Sequence, residues 1–118
     1  MCVWHRYATT IYAINSAIIK LSKLTYATPV YRGLMGASFP ERFFEKDADG
    51  IAGGIEFGFS STTTDRSVAA FYSKSEWEGK ASTIIEARQG MVDRGADLSW
   101  LSQYPFEKEI LFAPLTGL

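Results

Sequence analysis

The sequence predicts an α+β fold, on three observations. One long amphipathic helix comes first, strand-like runs make up most of the remaining chain, and only short helical stretches lie between them. Strands alternating with helices of crossover length would argue instead for a parallel βαβ array. The chain has 118 residues, 47% of them hydrophobic and 21% charged, which fits one domain around one core. No internal repeat, low-complexity tract or linker is evident.

The helix is read from Ile11, Ile14, Ile18 and Leu21, which recur at helical spacing with Ala17 and Leu24 on the same side. It is predicted from roughly Thr10 to Leu24, capped by Thr9 or Thr10, with one face on the core. Its polar face carries only Lys20 and Lys23, too little for a helix lying on a membrane surface. Arg6 before the apolar run Ala8 to Ile19 vaguely mimics a signal peptide. The run contains Thr9, Thr10, Asn15 and Ser16 and is too short to span a bilayer, so it reads as part of the fold. No signal or transmembrane segment is evident, which leaves the compartment open.

Ala27-Thr28-Pro29 stops the helix, and Val30-Tyr31-Arg32-Gly33 reads as a short strand ending in glycine. Leu34 to Gly54 is loop-rich, with a helical turn around Pro40 to Phe44. Inside this loop Glu45, Asp47, Asp49, Gly50 and Glu56 fall at positions one, three, five, six and twelve of a calcium-binding loop. Position one is Glu where Asp is wanted and the flanks are strand-like, so a solvated turn is the better reading and no metal is expected. Ile55 to Phe59 alternates as a strand, and the hydroxyl run Ser60-Ser61-Thr62-Thr63-Thr64 comes directly after it. Thr63, Thr64 or Asp65 can cap a short helix that buries Val68, Ala69, Phe71 and Tyr72. Ser73 to Lys80 reads as a polar loop containing Trp77, and Ala81 to Arg88 as a β-branched strand. Gly90 and Gly95 flank a turn, and Asp97 to Ser102 reads as one helical turn carrying Trp100.

The net charge of -1 and pI of about 5.8 lack the basic excess that marks a nucleic-acid partner. One cysteine (Cys2) and one histidine (His5) make neither an internal disulfide nor a zinc site.

The final stretch, Tyr104 to Pro114, reads as a loop feeding a strand that begins with two carboxylates. Alternation along a strand points Glu107 and Glu109 the same way, roughly 6.5 Å apart. Like charges so placed repel. The opposite face, Lys108, Ile110 and Phe112, is mostly apolar and suits a core. Taken alone, this is an edge strand that starts with solvated charges.

Two further stretches change that reading. Tyr31-Arg32-Gly33, Phe59-Ser60-Ser61-Thr62-Thr63 and Glu107-Lys108-Glu109 come in that order, each on or just off a strand. Together they resemble the Arg, Ser-Thr-Ser and Glu-x-Glu signatures of the R-S-E class of mono-ADP-ribosyltransferases, which includes cholera-toxin-like toxins and arginine-specific ecto-enzymes. The resemblance runs from about Val30 to the end, and Thr63 stands where the commonest third residue is Ser. It implies the ADP-ribosyltransferase fold, two packed, mainly antiparallel sheets with an N-terminal helix and short helices. Members of this class usually carry more helix before the Arg strand, so the 118 residues are expected to be one catalytic domain, trimmed or a piece of a longer chain.

The resemblance also implies a chemistry. Such an enzyme breaks the bond between nicotinamide and ribose in NAD, and the leaving group is a neutral pyridine that needs no general acid. The ribose gains oxocarbenium character, as in glycoside cleavage, and a carboxylate beside it stabilises that charge. Glu109 is the candidate for this role. A guanidinium acceptor is cationic and barely nucleophilic, so a second carboxylate, Glu107, must orient it and help remove a proton. Within the class, Glu at this first position goes with arginine as acceptor, on a target protein or a small guanidino compound. Arg32 resembles the arginine that grips the NAD phosphates, Gly33 would admit the nicotinamide amide, and Ser61 resembles the hydroxyl that orients the catalytic carboxylate. Thr62 and Thr63 would brace neighbouring strands. Phe71, Tyr72 and Trp77 are the candidates for an aromatic wall against nicotinamide, and Trp100 to Tyr104 for reading the acceptor. Two other readings use the same residues: an NAD glycohydrolase in which water attacks, and a binding module without catalysis.

Overall fold

The computed structural model of the protein describes residues 7–74 and 81–118. Helix α1 (Ala8–Ser22) begins and ends slightly earlier than its periodicity suggests. Its N-cap is Tyr7 and makes no side-chain capping bond, so Thr9 and Thr10 lie inside the first turn and not at the cap. Of the expected apolar side only Ile18 is buried; Leu21 is half-buried, and Ile11, Ile14, Ala17 and Leu24 are exposed.

Five strands form one antiparallel sheet in the order β4-β1-β3-β6-β5. They are β1 (Pro29–Met35), β3 (Ser60–Thr63), β4 (Ser82–Arg88), β5 (Ala96–Asp97) and β6 (Glu109–Phe112). A second, two-stranded antiparallel sheet pairs β2 (Ile55–Glu56) with β7 (Thr116–Gly117). The sheets face each other across a cavity of about 150 Å³, which Val30, Leu34, Ile85 and Phe112 line from one side and Glu56, Thr116 and Gly117 from the other.

Several boundaries differ from the sequence reading. β1 does not end at Gly33 but runs two residues further to Met35 and pairs with β4 along its whole length. The Ser-Thr run is not the tail of a strand. It is the strand β3 itself, because threonine suits a half-buried pleat, and the expected strand Ile55 to Phe59 is reduced to β2. β5 leaves no signal in the sequence, since two residues are too few to show alternation. A single turn comes after it, closed by Ser102 N–H donating to Leu98 C=O at 2.8 Å. The turn expected near Pro40 is a 3₁₀ turn over Glu41–Phe44.

Helix α2 (Arg66–Ser73) is capped by Asp65, whose Oδ1 accepts from Ser67 N–H at 2.9 Å. Hydrogen bonds from the Ser67 hydroxyl and backbone hold the Asp65 carboxyl below its ordinary pKa, with Lys108 adding to the effect. Ala69 and Ser73 are buried beneath α2, whereas Phe71 and Tyr72, expected inside, are exposed. The loop expected over Ser73 to Lys80 lies mostly outside the described residues, and Trp77 is among those outside.

Candidate active site

The candidate cleft opens where two central strands part. β1 and β3 are bridged at Tyr31 and Thr63 and not beyond. The wedge between them holds about 420 Å³. β1 lines it with Tyr31 through Met35, β3 with Ser61 through Thr63, and α2 with Val68, Ala69 and Tyr72. Glu107 and Glu109 line it as well.

Gly33 sets the distance between α2 and the sheet. A Cβ at this position would lie 2.1 Å from Ala69 O and 2.8 Å from Ser73 N. The helix backbone therefore packs directly on the strand, as only glycine allows. The resemblance gives Gly33 to the nicotinamide amide; in the structure it lines the cleft, and the space a side chain would take is filled by α2.

The acid pair forms differently from the sequence expectation. Only Glu109 belongs to β6. Glu107 ends a 3₁₀ turn over Pro105–Glu107, and Lys108 between them adopts the left-handed conformation (φ 47°, ψ 53°). Lys108 is exposed and approaches Asp65 at 3.9 Å; it is not part of a core face. Strand alternation thus does not bring the carboxylates together. The turn does, and the hydroxyl run holds it. Thr63 Oγ1 donates to Glu107 C=O at 2.6 Å and accepts from Asp65 N–H at 3.0 Å. Thr62 Oγ1 donates to Ile110 C=O at 2.8 Å, tying β3 to β6 beside the acids.

Each carboxylate takes one hydroxyl. Ser61 Oγ donates to Glu109 Oε1 at 2.9 Å, and Tyr72 Oη donates to Glu107 Oε1. The bond to Glu107 raises the pKa of the Tyr72 phenol, with desolvation and the negative charges of Glu107 and Glu109 adding to it. The phenol therefore stays protonated and a donor at neutral pH.

Arg32 lines the same cleft, but its guanidinium reaches the other face of the sheet. Nη1 donates to Ser60 Oγ at 2.7 Å and stands 3.7 Å from Glu56 Oε2. Neither partner is evident from the linear motifs. Alternation along β3 carried the signal, because Ser60 must face away from Ser61 and towards the Arg32 side. Phe71 does not line the cleft; its ring meets Tyr72 edge-on, with centroids 5.5 Å apart. Trp100 and Tyr104 are exposed, and Tyr104 lies edge-on to Phe106 at 6.0 Å. The calcium-like pattern is a closed turn in which Asp47 Oδ1 accepts from Asp49 and Ile51 N–H, both at 2.9 Å. Among the described residues no three His, Cys, Asp or Glu stand close enough to hold a metal ion.

This architecture has a solved counterpart. The crystal structure of the ADP-ribosyltransferase Vis, in complex with an inhibitor named M6, matches with a TM-score of 0.59 and 26% sequence identity. The match covers 92% of this chain and 46% of that one. The protein has the ADP-ribosyltransferase fold. No protein-family model matches the chain, and no curated protein does. The chain spans about half the length of the ADP-ribosyltransferase Vis. Within this fold the sequence-predicted residues Arg32, Gly33, Ser61, Thr62, Glu107 and Glu109 all border one cleft, and Phe71 lies beside it.

Proposed function

We propose that this protein transfers ADP-ribose from NAD, its co-substrate, to the side chain of an arginine. The observation that carries this reading is one cleft bordered by a hydroxyl-held Glu109, a second carboxylate, Glu107, and Arg32. About 420 Å³ is within the usual range for a small-molecule site. The cavity between the sheets is smaller and lacks the acid pair.

Each residue fits a step of that chemistry. NAD supplies a glycosidic bond whose electron pair leaves with neutral nicotinamide. Glu109, fixed by Ser61, faces the positive charge that develops on the ribose carbon. Glu107 orients the guanidinium and accepts the proton lost as its nitrogen bonds that carbon. Arg32 is part-exposed and its pairing with Glu56 is loose, an arrangement of small worth in water. A diphosphate offers the guanidinium a stronger, bidentate partner. Thr62 and Thr63 hold β3 and the acid turn in register.

The test is incubation with NAD labelled in nicotinamide and in adenine, with and without agmatine, a small guanidino acceptor. The wild-type chain should release nicotinamide and form ADP-ribosyl-agmatine. Glu109→Gln should lower both by about a hundredfold or more. Glu107→Gln should suppress transfer while hydrolysis persists. Nicotinamide release without any agmatine adduct would make the protein a glycohydrolase. NAD binding without cleavage would make it a binding module.

A further inference from the structure

We infer that Tyr72 is a positioning residue for Glu107, its hydroxyl holding the acceptor-side carboxylate in the cleft as Ser61 holds Glu109. This rests on the transfer reading above. The two carboxylates are mounted unequally. Glu109 sits in a strand paired on both sides, by β3 and by β5. Leu98 N–H also donates to its carbonyl at 2.9 Å. Glu107 sits at the end of a three-residue 3₁₀ turn, before a residue in the left-handed conformation. Its backbone is held by Tyr104 C=O and the Thr63 hydroxyl, which fix the main chain but not the direction of a long acidic side chain. A Glu side chain left free in water loses much rotamer entropy when it must take up one pose.

Tyr72 supplies the missing constraint. Its Oη donates to Glu107 Oε1 across the cleft, a charge-assisted bond between side chains 35 residues apart. The donor is itself well placed. Asp65 caps the helix that carries it, and the Gly33 contact pins that helix to β1. Each acid then presents its Oε2, which has no hydrogen-bond partner in the protein among the described residues. On the transfer reading, that of Glu109 is left for the reacting carbon and that of Glu107 for the guanidinium. The negative charges of Glu107 and Glu109 both favour the protonated phenol, which keeps its hydroxyl a donor.

Tyr72→Phe separates this role from that of the ring, because it keeps the aromatic wall and deletes only the donor. Two measurements read the outcome. The first is the ratio of agmatine transfer to NAD hydrolysis, which should fall about tenfold in the variant, the usual effect of losing a hydrogen bond to a charged group. The second is the ultraviolet titration of the Tyr72 phenol, isolated as wild type minus Tyr72→Phe. Its midpoint should move down, towards that of free tyrosine, when Glu107 is replaced by Gln. An unchanged or increased ratio in Tyr72→Phe overturns the inference, an increase meaning that the hydroxyl competes with the acceptor. An unmoved phenol titration overturns it as well, by denying the bond. If the wild-type chain neither cleaves NAD nor modifies agmatine, the transfer reading itself fails; a wild type that does both while Tyr72→Phe matches it sinks this inference alone.

Discussion

Ser61 shows what one hydroxyl does in this cleft. It is exposed and contributes little to the core, yet its Oγ fixes Glu109 at 2.9 Å. A carboxylate that must meet a charge at one point gains from being held before the charge appears. Ser61→Ala should therefore leave the unfolding temperature nearly unchanged and lower kcat for NAD cleavage about ten- to a hundredfold, the range for a hydrogen bond to a charged group. Steady-state kinetics beside a thermal melt checks this. A large loss of stability with a proportionate loss of activity would make Ser61 a scaffold residue. Arg32 differs, because its guanidinium is already engaged by Ser60 and Glu56. Those contacts hold it on the face of the sheet away from the acid pair, so a phosphate bound in the cleft would have to draw it off both partners.

At the scale of elements, the contact between β1 and α2 positions everything else. α2 carries Tyr72, and its distance from the sheet is set by the missing Cβ at Gly33. Gly33→Ala would place a methyl group 2.1 Å from Ala69 O, inside any tolerable contact. The helix must move outward, at a cost of about 1–3 kcal/mol for an overpacked site. Chemical denaturation should show that loss, and the ratio of transfer to hydrolysis should fall with it as Tyr72 leaves Glu107. A stable Gly33→Ala variant with an unchanged ratio would mean that α2 does not set the acid turn. The same elements mark what the sequence made legible. Hydroxyl run, acid pair and arginine could be read because each motif lies on consecutive residues. The long helix could be read because its period runs over many residues, and β4 because β-branched residues cluster at its centre. Gly33 was read as a strand end because no one-dimensional pattern shows a helix lying across a strand. β5 escapes for lack of length, and Tyr72 reads as core or as a wall against nicotinamide because helical spacing gives a face without saying what covers it. The acid pair was right in its convergence and wrong in its cause, since a left-handed Lys108 leaves no mark in the pattern.

Across the whole molecule, the site stands on a small core. Among the described residues only Ile18, Val30, Ala69, Ala96 and Ile110 are buried apolar side chains. Much of α1 faces water, with Tyr12 76% exposed and Ile19 53%. Ile110 is the largest of the fully buried side chains and adjoins Glu109 in β6. It packs so closely on the residue before β5 that a Cβ at Gly95 would lie 2.5 Å from its Cγ2, and its carbonyl receives the Thr62 hydroxyl. The neighbouring backbones are held by strand pairing and cannot readily collapse into a hole. Ile110→Ala should therefore cost about 2–5 kcal/mol, the range for a buried isoleucine. Domains of this size hold only about 5–15 kcal/mol in total, so one substitution removes a large share. The melting temperature should drop by about 10 °C or more. Tyr12→Ala on the exposed side of α1 serves as the control and should shift it little. Equal shifts in the two variants would mean that the exposed face of α1 carries as much of the folding energy as the buried centre of the sheet, and the core would have to be redrawn around the helix.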